Sequence, residues 1–334
     1  MKSKYFKIKT IFCLKTLVSL IILQFCFQTV KTQSIPMVTN LRTEYKTNPL
    51  GIDVTKPRFS WEIVSKNRNT IQSAYEIKAA VSDELLKADK ELLWNTEKVN
   101  SDRSNQIEYN GPTLKSGQRI YWKVRIWDGN GRVSEWSEAA FWEMGLLESS
   151  DWKASWIEPD IVEDITISQP CPMLRKEFEV KGDIKQARLY VSSHGLYQTS
   201  INGKKIGNQV FTPGWTSYNK RLQYQVYDVS SQLVKGKNAI GAILGDGWYR
   251  GFLGWEDNRN VYGDKLALIL QMKIIYDDGS EIVREMTPKE RQEEMDYRME
   301  VFTKRLIGMM EEDLEILENS EYLKYLEKEL TIEN

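Results

Sequence analysis

Short segments in which apolar and polar residues alternate dominate the chain from residue 36 to about residue 147. Residues 59–63 and 75–79 alternate in this way, and residues 120–127 place Ile, Trp, Val and Ile on one face. A period of two predicts half-buried β-strands. The segments are separated by turn signals at Asn48-Pro49, Gly111-Pro112, Ser116-Gly117 and Asp128-Gly129-Asn130-Gly131. This spacing predicts an antiparallel β-sandwich over residues 33–147, in which only residues 83–93 favour one or two helical turns.

A second group of apolar segments follows, at residues 187–191, 198–201, 222–227, 239–244 and 266–276. None of them keeps a helical period over three turns. The sequence Asp277-Asp278-Gly279 then predicts a hairpin turn. We therefore expect residues 148–285 to form a second β-sandwich, of the jelly-roll type.

The pattern changes at about residue 287. Thr287 and Glu290 form a capping-box sequence, and apolar residues then recur every three to four positions. Residues 286–334 are accordingly predicted to be a short α-helical tail. Such a tail is too small for a core of its own, so we expect it to dock, to self-associate or to stay mobile.

The N-terminus has the pattern of an export signal. Several lysines precede an apolar run at residues 17–27, which is shorter than the about 20 residues that a membrane-spanning helix needs. We predict a signal peptide at residues 1–32, cleavage before Gln33, and a secreted or periplasmic protein without stable membrane insertion. An uncleaved membrane anchor is the alternative interpretation.

Composition removes several function classes. The net charge of −1 provides no overall electrostatic basis for binding nucleic acid. The single histidine, His194, rules out zinc sites with several histidines, and no nucleophile-elbow sequence accompanies it. Removal of residues 1–32 leaves Cys171 as the one cysteine, so no internal disulfide is expected.

Residues 244–267 combine aromatic, acidic and amide side chains between several glycines. Aromatic rings can pack on the apolar face of a sugar, and polar side chains can bind its hydroxyls. The candidate substrate-binding residues are Trp215, Tyr218, Trp248, Tyr249, Arg250, Trp255, Asp257 and Asn258. The structural alternative is that Trp215 and Trp248 cap the sandwich core and that Asp246 and Asp264 anchor turns.

Several motifs occur in an order that is typical of one enzyme family. They are Pro57-Arg58-Phe59-Ser60-Trp61, Tyr121-Trp122-Lys123-Val124-Arg125-Ile126-Trp127-Asp128, Ser134-Glu135-Trp136-Ser137, Gly195-Leu196-Tyr197, Ile201-Asn202-Gly203, the run from Pro213 to Arg221, Tyr227-Asp228-Val229, the run from Gly245 to Gly251, and Tyr262-Gly263. In these motifs the chain resembles the N-terminal, non-catalytic portion of bacterial α-L-rhamnosidases of glycoside hydrolase family 78.

The resemblance implies a mainly β protein. Its first domain would be a fibronectin type III or immunoglobulin-like sandwich, in which Trp136 stacks on Arg125 or Arg132. Its second domain would be a carbohydrate-binding β-sandwich, with L-rhamnose-containing plant or bacterial glycans as partners. Complete family members add a helical catalytic barrel, whose two carboxylates carry out inverting hydrolysis. The resemblance stops near Val283, so we expect a truncated rhamnosidase-like protein without a catalytic residue of its own.

Calcium is a further expectation that the resemblance raises, since some carbohydrate-binding domains of the family hold rhamnose through this ion. Calcium needs six to eight oxygen ligands. Asp257 and Asn258 are the candidate metal ligands, together with Asn202 if the fold brings it close. The alternative for Asn202 is an ordinary hairpin residue of an Asn-Gly turn.

Three functions thus remain open. The first is a secreted carbohydrate-binding module, and the second is an α-L-rhamnosidase that hydrolyses terminal α-L-rhamnosides. The third is a structural or interaction module that has lost its sugar site. Fold class alone does not decide among them.

Overall fold

The computed structural model of the chain describes residues 35–254 and 258–286. The predicted signal peptide at residues 1–32 and residues 287–334 of the predicted helical tail lie outside the described residues. The candidate site residues Trp255 and Asp257 also lie outside them. No helix within the described ranges is long and apolar enough to cross a membrane.

The described residues divide into two compact β units. Unit 1 comprises residues 35–48, 56–112 and 120–142, and unit 2 comprises residues 49–55, 113–119, 143–254 and 258–286. Both units are built from antiparallel strand pairs. The prediction of a mainly β chain is confirmed, whereas the domain boundary between residues 147 and 148 stays a prediction.

Unit 1 contains two sheets and one short helix. Its elements are β1 (Met37–Thr43), β2 (Arg58–Val64), β3 (Gln72–Ala80), α1 (Asp83–Ala88), β4 (Trp94–Asn95), β5 (Val99–Asn100), β6 (Ile107–Glu108), β7 (Arg119–Asp128) and β8 (Ala140–Glu143); the end residues Arg119 and Glu143 count with unit 2. One sheet has the order β1-β2-β6 and the other the order β4-β3-β7-β8, with β5 also paired to β3. The predicted helical turns at residues 83–93 shorten to α1, whose first turn is capped by the Ser82 hydroxyl accepting from the Leu85 amide at 3.2 Å.

The alternating pattern of β7 is reproduced in its burial. Ile120, Trp122, Val124 and Ile126 are fully buried, and the residues between them are half-buried. An aromatic core surrounds Phe59, whose ring lies 4.6 Å from that of Trp122 and 5.1 Å from that of Trp142. Hydrophobic burial of this core stabilises unit 1. The described residues contain no disulfide that would add to it.

On the opposite face of β7, cations stack on tryptophan rings. The Arg125 guanidinium lies 4.6 Å from the centre of the Trp136 ring, as predicted. The other expected partner, Arg132, instead pairs with Asp128 at 2.6 Å. Lys78 and Lys123, each 5.0 Å from the ring centre, occupy that role because neighbouring strands bring them beside Trp136.

Unit 2 is a sandwich of two four-stranded sheets. Its elements are β9 (Met173–Val180), β10 (Ile184–His194), β11 (Leu196–Ile201), β12 (Lys204–Lys205), β13 (Gln225–Asp228), β14 (Gly236–Gly245), α2 (Gly247–Arg250), β15 (Ala267–Tyr276) and β16 (Glu281–Glu285), with short 3-10 turns at Ser149–Asp151 and Ser230–Gln232. The sheet orders are β13-β10-β15-β16 and β12-β11-β14-β9. The predicted hairpin at residues 277–279 joins β15 to β16.

The core of unit 2 lies between these sheets. Its members include Leu189 and Val191 of β10, Ile240 of β14, and Leu268 and Leu270 of β15, all of which are buried. β10 and β15 pair along nearly their whole length, from Ile184 to His194. The aromatic residues described next lie mainly in two connections of this unit, one between β12 and β13 and one that begins after β14 at Gly245.

Candidate functional site

The chain leaves β14 through a tight turn that requires glycine. Gly247 has a φ of +51°, and a Cβ on this residue would collide with the Leu196 side chain. The short helix α2 starts at this glycine, and its next three residues differ in burial. Trp248 is half-buried, whereas Tyr249 and Arg250 are buried.

Trp248 forms a parallel pair with Trp215, which we call the tryptophan platform. The two ring centres are 5.6 Å apart and the ring planes differ by 6°. Trp215 is 55% exposed, and its indole Nε1 donates to the Tyr262 hydroxyl at 3.3 Å. Neither tryptophan belongs to the buried core of unit 2, in contrast to the structural alternative in which both cap it. The outer indole face of Trp215 is thus available to a ligand.

A continuous series of ring contacts leads from the platform to Trp156. Tyr262 lies 4.9 Å from Tyr218, and Tyr218 meets Tyr249 edge-on at 5.4 Å. Tyr249 stacks on His194 at 4.8 Å, and His194 stacks on Trp156 at 4.4 Å. Tyr218 is half-buried and Tyr249 is buried, and burial raises the pKa of both phenols.

Sequence reasoning missed several members of this cluster. His194, which no catalytic sequence motif accompanies, lies between two aromatic rings. Trp156 and Phe211 were not among the candidates, although Phe211 meets Trp248 at 5.8 Å. These residues are far apart along the chain, and the only signal that could have found them is their aromatic character.

His194 offers a direct test of the stack, because it is the only histidine. Burial lowers its pKa below the ordinary histidine value of 6.5, and the Glu158 carboxylate opposes this by favouring the charged form. A depressed folded-state pKa means that His194 contributes stability that is present above pH 6.5 and is lost as the pH falls through its folded pKa. We expect NMR titration of its ring protons to give a pKa below 6.5 in the folded chain.

The matched variant Glu158→Gln removes the opposing charge. We expect it to lower the pKa of His194 further, while the urea-unfolded chain titrates near the ordinary histidine value in both forms. A folded-state pKa at or above the unfolded value would contradict the buried stack.

Arg250 is held by carboxylates. Its guanidinium is 1% exposed, and it bonds to Glu163 at 2.5 Å and to Asp246 at 2.7 Å. Arg259 reaches the second oxygen of Asp246 at 2.9 Å and also donates to the carbonyl of Ile165. The predicted hydroxyl-binding Arg250 thus serves in this structure to tie residues 246–260 to residues 163–165. Asp246 has the anchoring role that the structural alternative gave it.

The remaining candidates are spread out. Asn258 is exposed, and its carbonyl accepts from the Leu253 amide at 2.8 Å. Asn202 lies on its turn with a φ of +50°. Its amide donates to the Gln232 carbonyl and the Asn238 side chain, and its oxygen accepts from the Ala239 amide.

These contacts give Asn202 a structural role in its turn, as in the alternative of an ordinary hairpin residue. Within residues 35–254 and 258–286, no three His, Cys, Asp or Glu side chains form a group that could hold a metal ion. Asp257 lies outside the described residues, so the calcium site expected at Asp257 and Asn258 stays a prediction.

Comparison with known proteins matches both units to parts of one enzyme family. Residues 38–148 match the family described as Rha78A-like, N-terminal immunoglobulin domain. Residues 182–290 match the family described as alpha-L-rhamnosidase N-terminal domain. The match to two N-terminal domains in succession agrees with the order of the two sandwiches.

Individual relatives agree with this. An alpha-L-rhamnosidase of Alteromonas sp. (strain LOR) is 37% identical over 241 residues, which are 70% of this chain and 26% of the relative. The structure of an alpha-L-rhamnosidase from Dictyoglumus thermophilum superposes with a TM-score of 0.69 at 34% identity, over 78% of this chain and 30% of the other. The structure of an α-L-rhamnosidase from Aspergillus terreus superposes with a TM-score of 0.70 at 32% identity, over 76% of this chain and 29% of the other.

The chain thus spans 26–39% of the length of the curated relatives that it matches. The part that it shares with them contains both β units and the loops that carry the tryptophan platform. Over these two units the chain resembles the N-terminal portion of α-L-rhamnosidases.

Proposed function

We propose that this chain is a carbohydrate-binding N-terminal module of an α-L-rhamnosidase, and that unit 2 binds L-rhamnose-containing glycans at the tryptophan platform. The observation that carries the proposal is the exposed, pre-stacked pair of Trp215 and Trp248. The relatives are named α-L-rhamnosidases, and this name supplies the sugar class.

The physical basis is the match between an indole face and a pyranose. One face of a pyranose carries mainly C–H bonds, which pack on an aromatic ring and leave the hydroxyls at the edges. Trp215 is already stacked on Trp248 and bonded to Tyr262, so little side-chain entropy is lost on binding. The Tyr262 hydroxyl accepts from Trp215 and keeps its own proton to donate to a sugar oxygen.

The variant Trp215→Ala tests this proposal. We expect it to weaken the binding of an α-L-rhamnosyl disaccharide at least about tenfold, which corresponds to about 1.4 kcal/mol. Because Trp215 is 55% exposed, the fold should persist. Isothermal titration calorimetry of the disaccharide into the full chain measures the effect.

Tyr45→Ala is the matched control, since Tyr45 is also 55% exposed and belongs to unit 1, outside the platform. Equal affinities of the wild-type chain and Trp215→Ala would contradict the platform as the binding surface. If no sugar releases heat with the wild-type chain, the structural or interaction role is favoured instead. Repeating the titration with chelator decides whether calcium contributes through Asp257 and Asn258.

Hydrolysis of terminal α-L-rhamnosides is the second candidate function, and the names of the relatives favour it. Release of rhamnose from an α-L-rhamnoside above a heat-treated control would assign this activity to the chain. Sugar binding without release of rhamnose would support the carbohydrate-binding role and not the hydrolytic one.

We also propose export to the periplasm or the medium, with removal of residues 1–32. N-terminal sequencing of the mature protein, expected to begin at Gln33, tests this proposal. The self-association proposed for residues 286–334 predicts a change in molecular mass when these residues are deleted.

A further inference from the structure

A cavity lies beside the tryptophan platform, at the edge of β11 that also pairs with β12. The Ile206 amide donates to the Thr199 carbonyl at 3.0 Å, and the Tyr197 amide donates to the Thr212 carbonyl at 2.9 Å. Between these two bonds, residues 207–211 have only Gln198 opposite them. The extra chain length separates the segment from the strand and leaves a cavity of about 250 Å³.

The walls of this cavity differ in chemistry. Apolar side chains form one part, namely Leu196, Val210, Phe211 and Ile243. Polar side chains form another, namely Gln198, Thr199, Lys205 and Gln209. Cavities that bind small organic ligands typically combine an apolar wall with a few polar groups in this way.

The polar groups are placed to meet a ligand. Gln198, Lys205 and Gln209 are exposed around the cavity. The Thr199 side chain is 1% exposed, and its hydroxyl has no hydrogen-bond partner among the described residues. Thr199 lies on the face of β11 that also carries the core residues Tyr197 and Ile201, opposite to Gln198. The exposed amides of Gln198 and Gln209 are therefore the groups that a ligand in the cavity can reach.

The cavity and the platform share one residue. Phe211 lines the cavity and also meets Trp248 edge-on at 5.8 Å. Phe211 thus belongs both to the cavity wall and to the aromatic contacts of the platform. The cavity is smaller than the about 300–1,000 Å³ of sites for drug-sized ligands, so it suits a single sugar ring.

We propose that this cavity is a subsite for the terminal 6-deoxyhexose of a glycan, whose next sugar packs on Trp215. The inference rests on the proposed function and adds which end of the glycan is recognised. The C6 methyl group packs on Phe211 and Ile243, and the ring hydroxyls bond to Gln198 and Gln209. A sugar with a hydroxyl at C6 leaves that hydroxyl against the apolar wall.

Cys171 provides the measurement, because it is exposed and lines the cavity. The full chain is alkylated with iodoacetamide, and modification of the peptide that contains Cys171 is followed by mass spectrometry. We expect saturating L-rhamnose to slow alkylation of Cys171 several-fold. L-Mannose, its 6-hydroxy counterpart, should bind at least about fourfold more weakly, as expected for one buried apolar carbon.

The variant Ile243→Trp places a larger side chain in the cavity wall. We expect the indole to occupy the space of the sugar and to abolish protection of Cys171 by L-rhamnose. Val283→Trp is the matched control, since both residues are exposed to 37% on strands and Val283 lies outside the cavity. Gln209→Ala, at an exposed position, should weaken protection without a packing change. Trp215→Ala should keep protection by L-rhamnose while binding of the disaccharide falls.

Two outcomes would overturn the subsite. Protection of Cys171 that persists in Ile243→Trp would place the sugar elsewhere. Disaccharide binding that depends on Trp215, but leaves Cys171 alkylation unchanged, would reject the cavity and retain the proposed function. Absence of both heat and protection would reject the two proposals together.

Discussion

Glu143→Ala is expected to lower the free energy of unfolding of unit 2 by about 3–5 kcal/mol, the range for breaking a buried ion pair from one side. Glu143 is fully buried, and its carboxylate bonds to Arg188 at 2.6 Å and to Arg119 at 2.9 Å. Removing it leaves two arginines close together. Asp228, the remaining partner of Arg188, is half exposed and compensates the charge only partly. Urea unfolding followed by circular dichroism measures the loss.

The control for this variant is an exposed pair in the same unit. Arg221 and Asp53 are 3.6 Å apart with side chains 70% and 57% exposed, so Asp53→Ala should cost less than about 1 kcal/mol. The double variant Glu143→Leu with Arg188→Met should recover much of the loss, because it removes both buried charges. Equal free energies of unfolding of Glu143→Ala and Asp53→Ala would contradict a larger contribution of the buried ion pair to stability.

Trp122→Ala is expected to lower the free energy of unfolding of unit 1 by about 3–5 kcal/mol. The Trp122 side chain is fully buried and lies against Phe59, so truncation opens a large cavity in the aromatic core. Its indole nitrogen has no hydrogen-bond partner among the described residues. Trp122→Phe, which keeps a ring and removes that unpaired donor, should therefore cost less than alanine.

Trp127→Ala is the matched control, on the same strand and the opposite face. Trp127 is half-buried, and its ring contacts Lys98 at 4.8 Å and Arg125 at 5.1 Å. Cation–aromatic contacts at exposed sites contribute about 0.5–1 kcal/mol each, so we expect a loss of about 1–2 kcal/mol. The difference in urea midpoint between the two alanine variants tests the assignment of faces along β7.

The strand pattern was accessible from sequence because it depends on local chemistry. In β7 the apolar residues at every second position are the buried ones, since a strand places successive side chains on opposite faces. The turn at residues 277–279 was accessible for a similar reason, because Gly279 has a φ of +82°. Neither feature depends on distant parts of the chain.

The candidate site could be predicted from the sequence only in part. Trp215 and Trp248 were predicted as candidates, and the structure brings them into parallel contact. Arg250 had the right residue type for binding hydroxyls, yet Glu163, 87 residues away in sequence, holds its guanidinium. A sequence motif shows which groups are present, but not which of them already have partners.

The sequence by itself determined the mainly β class of this chain, the resemblance to α-L-rhamnosidases and the aromatic character of the loop after β14, because alternation, turn residues and ordered motifs are local properties. Only the tertiary structure decided that Trp215 and Trp248 form a platform, that Arg250 and Asn202 serve the fold, and that a cavity lies beside Phe211. These features depend on contacts between residues far apart along the chain. Such contacts follow from the packing of the sheets and their loops, which no local pattern encodes.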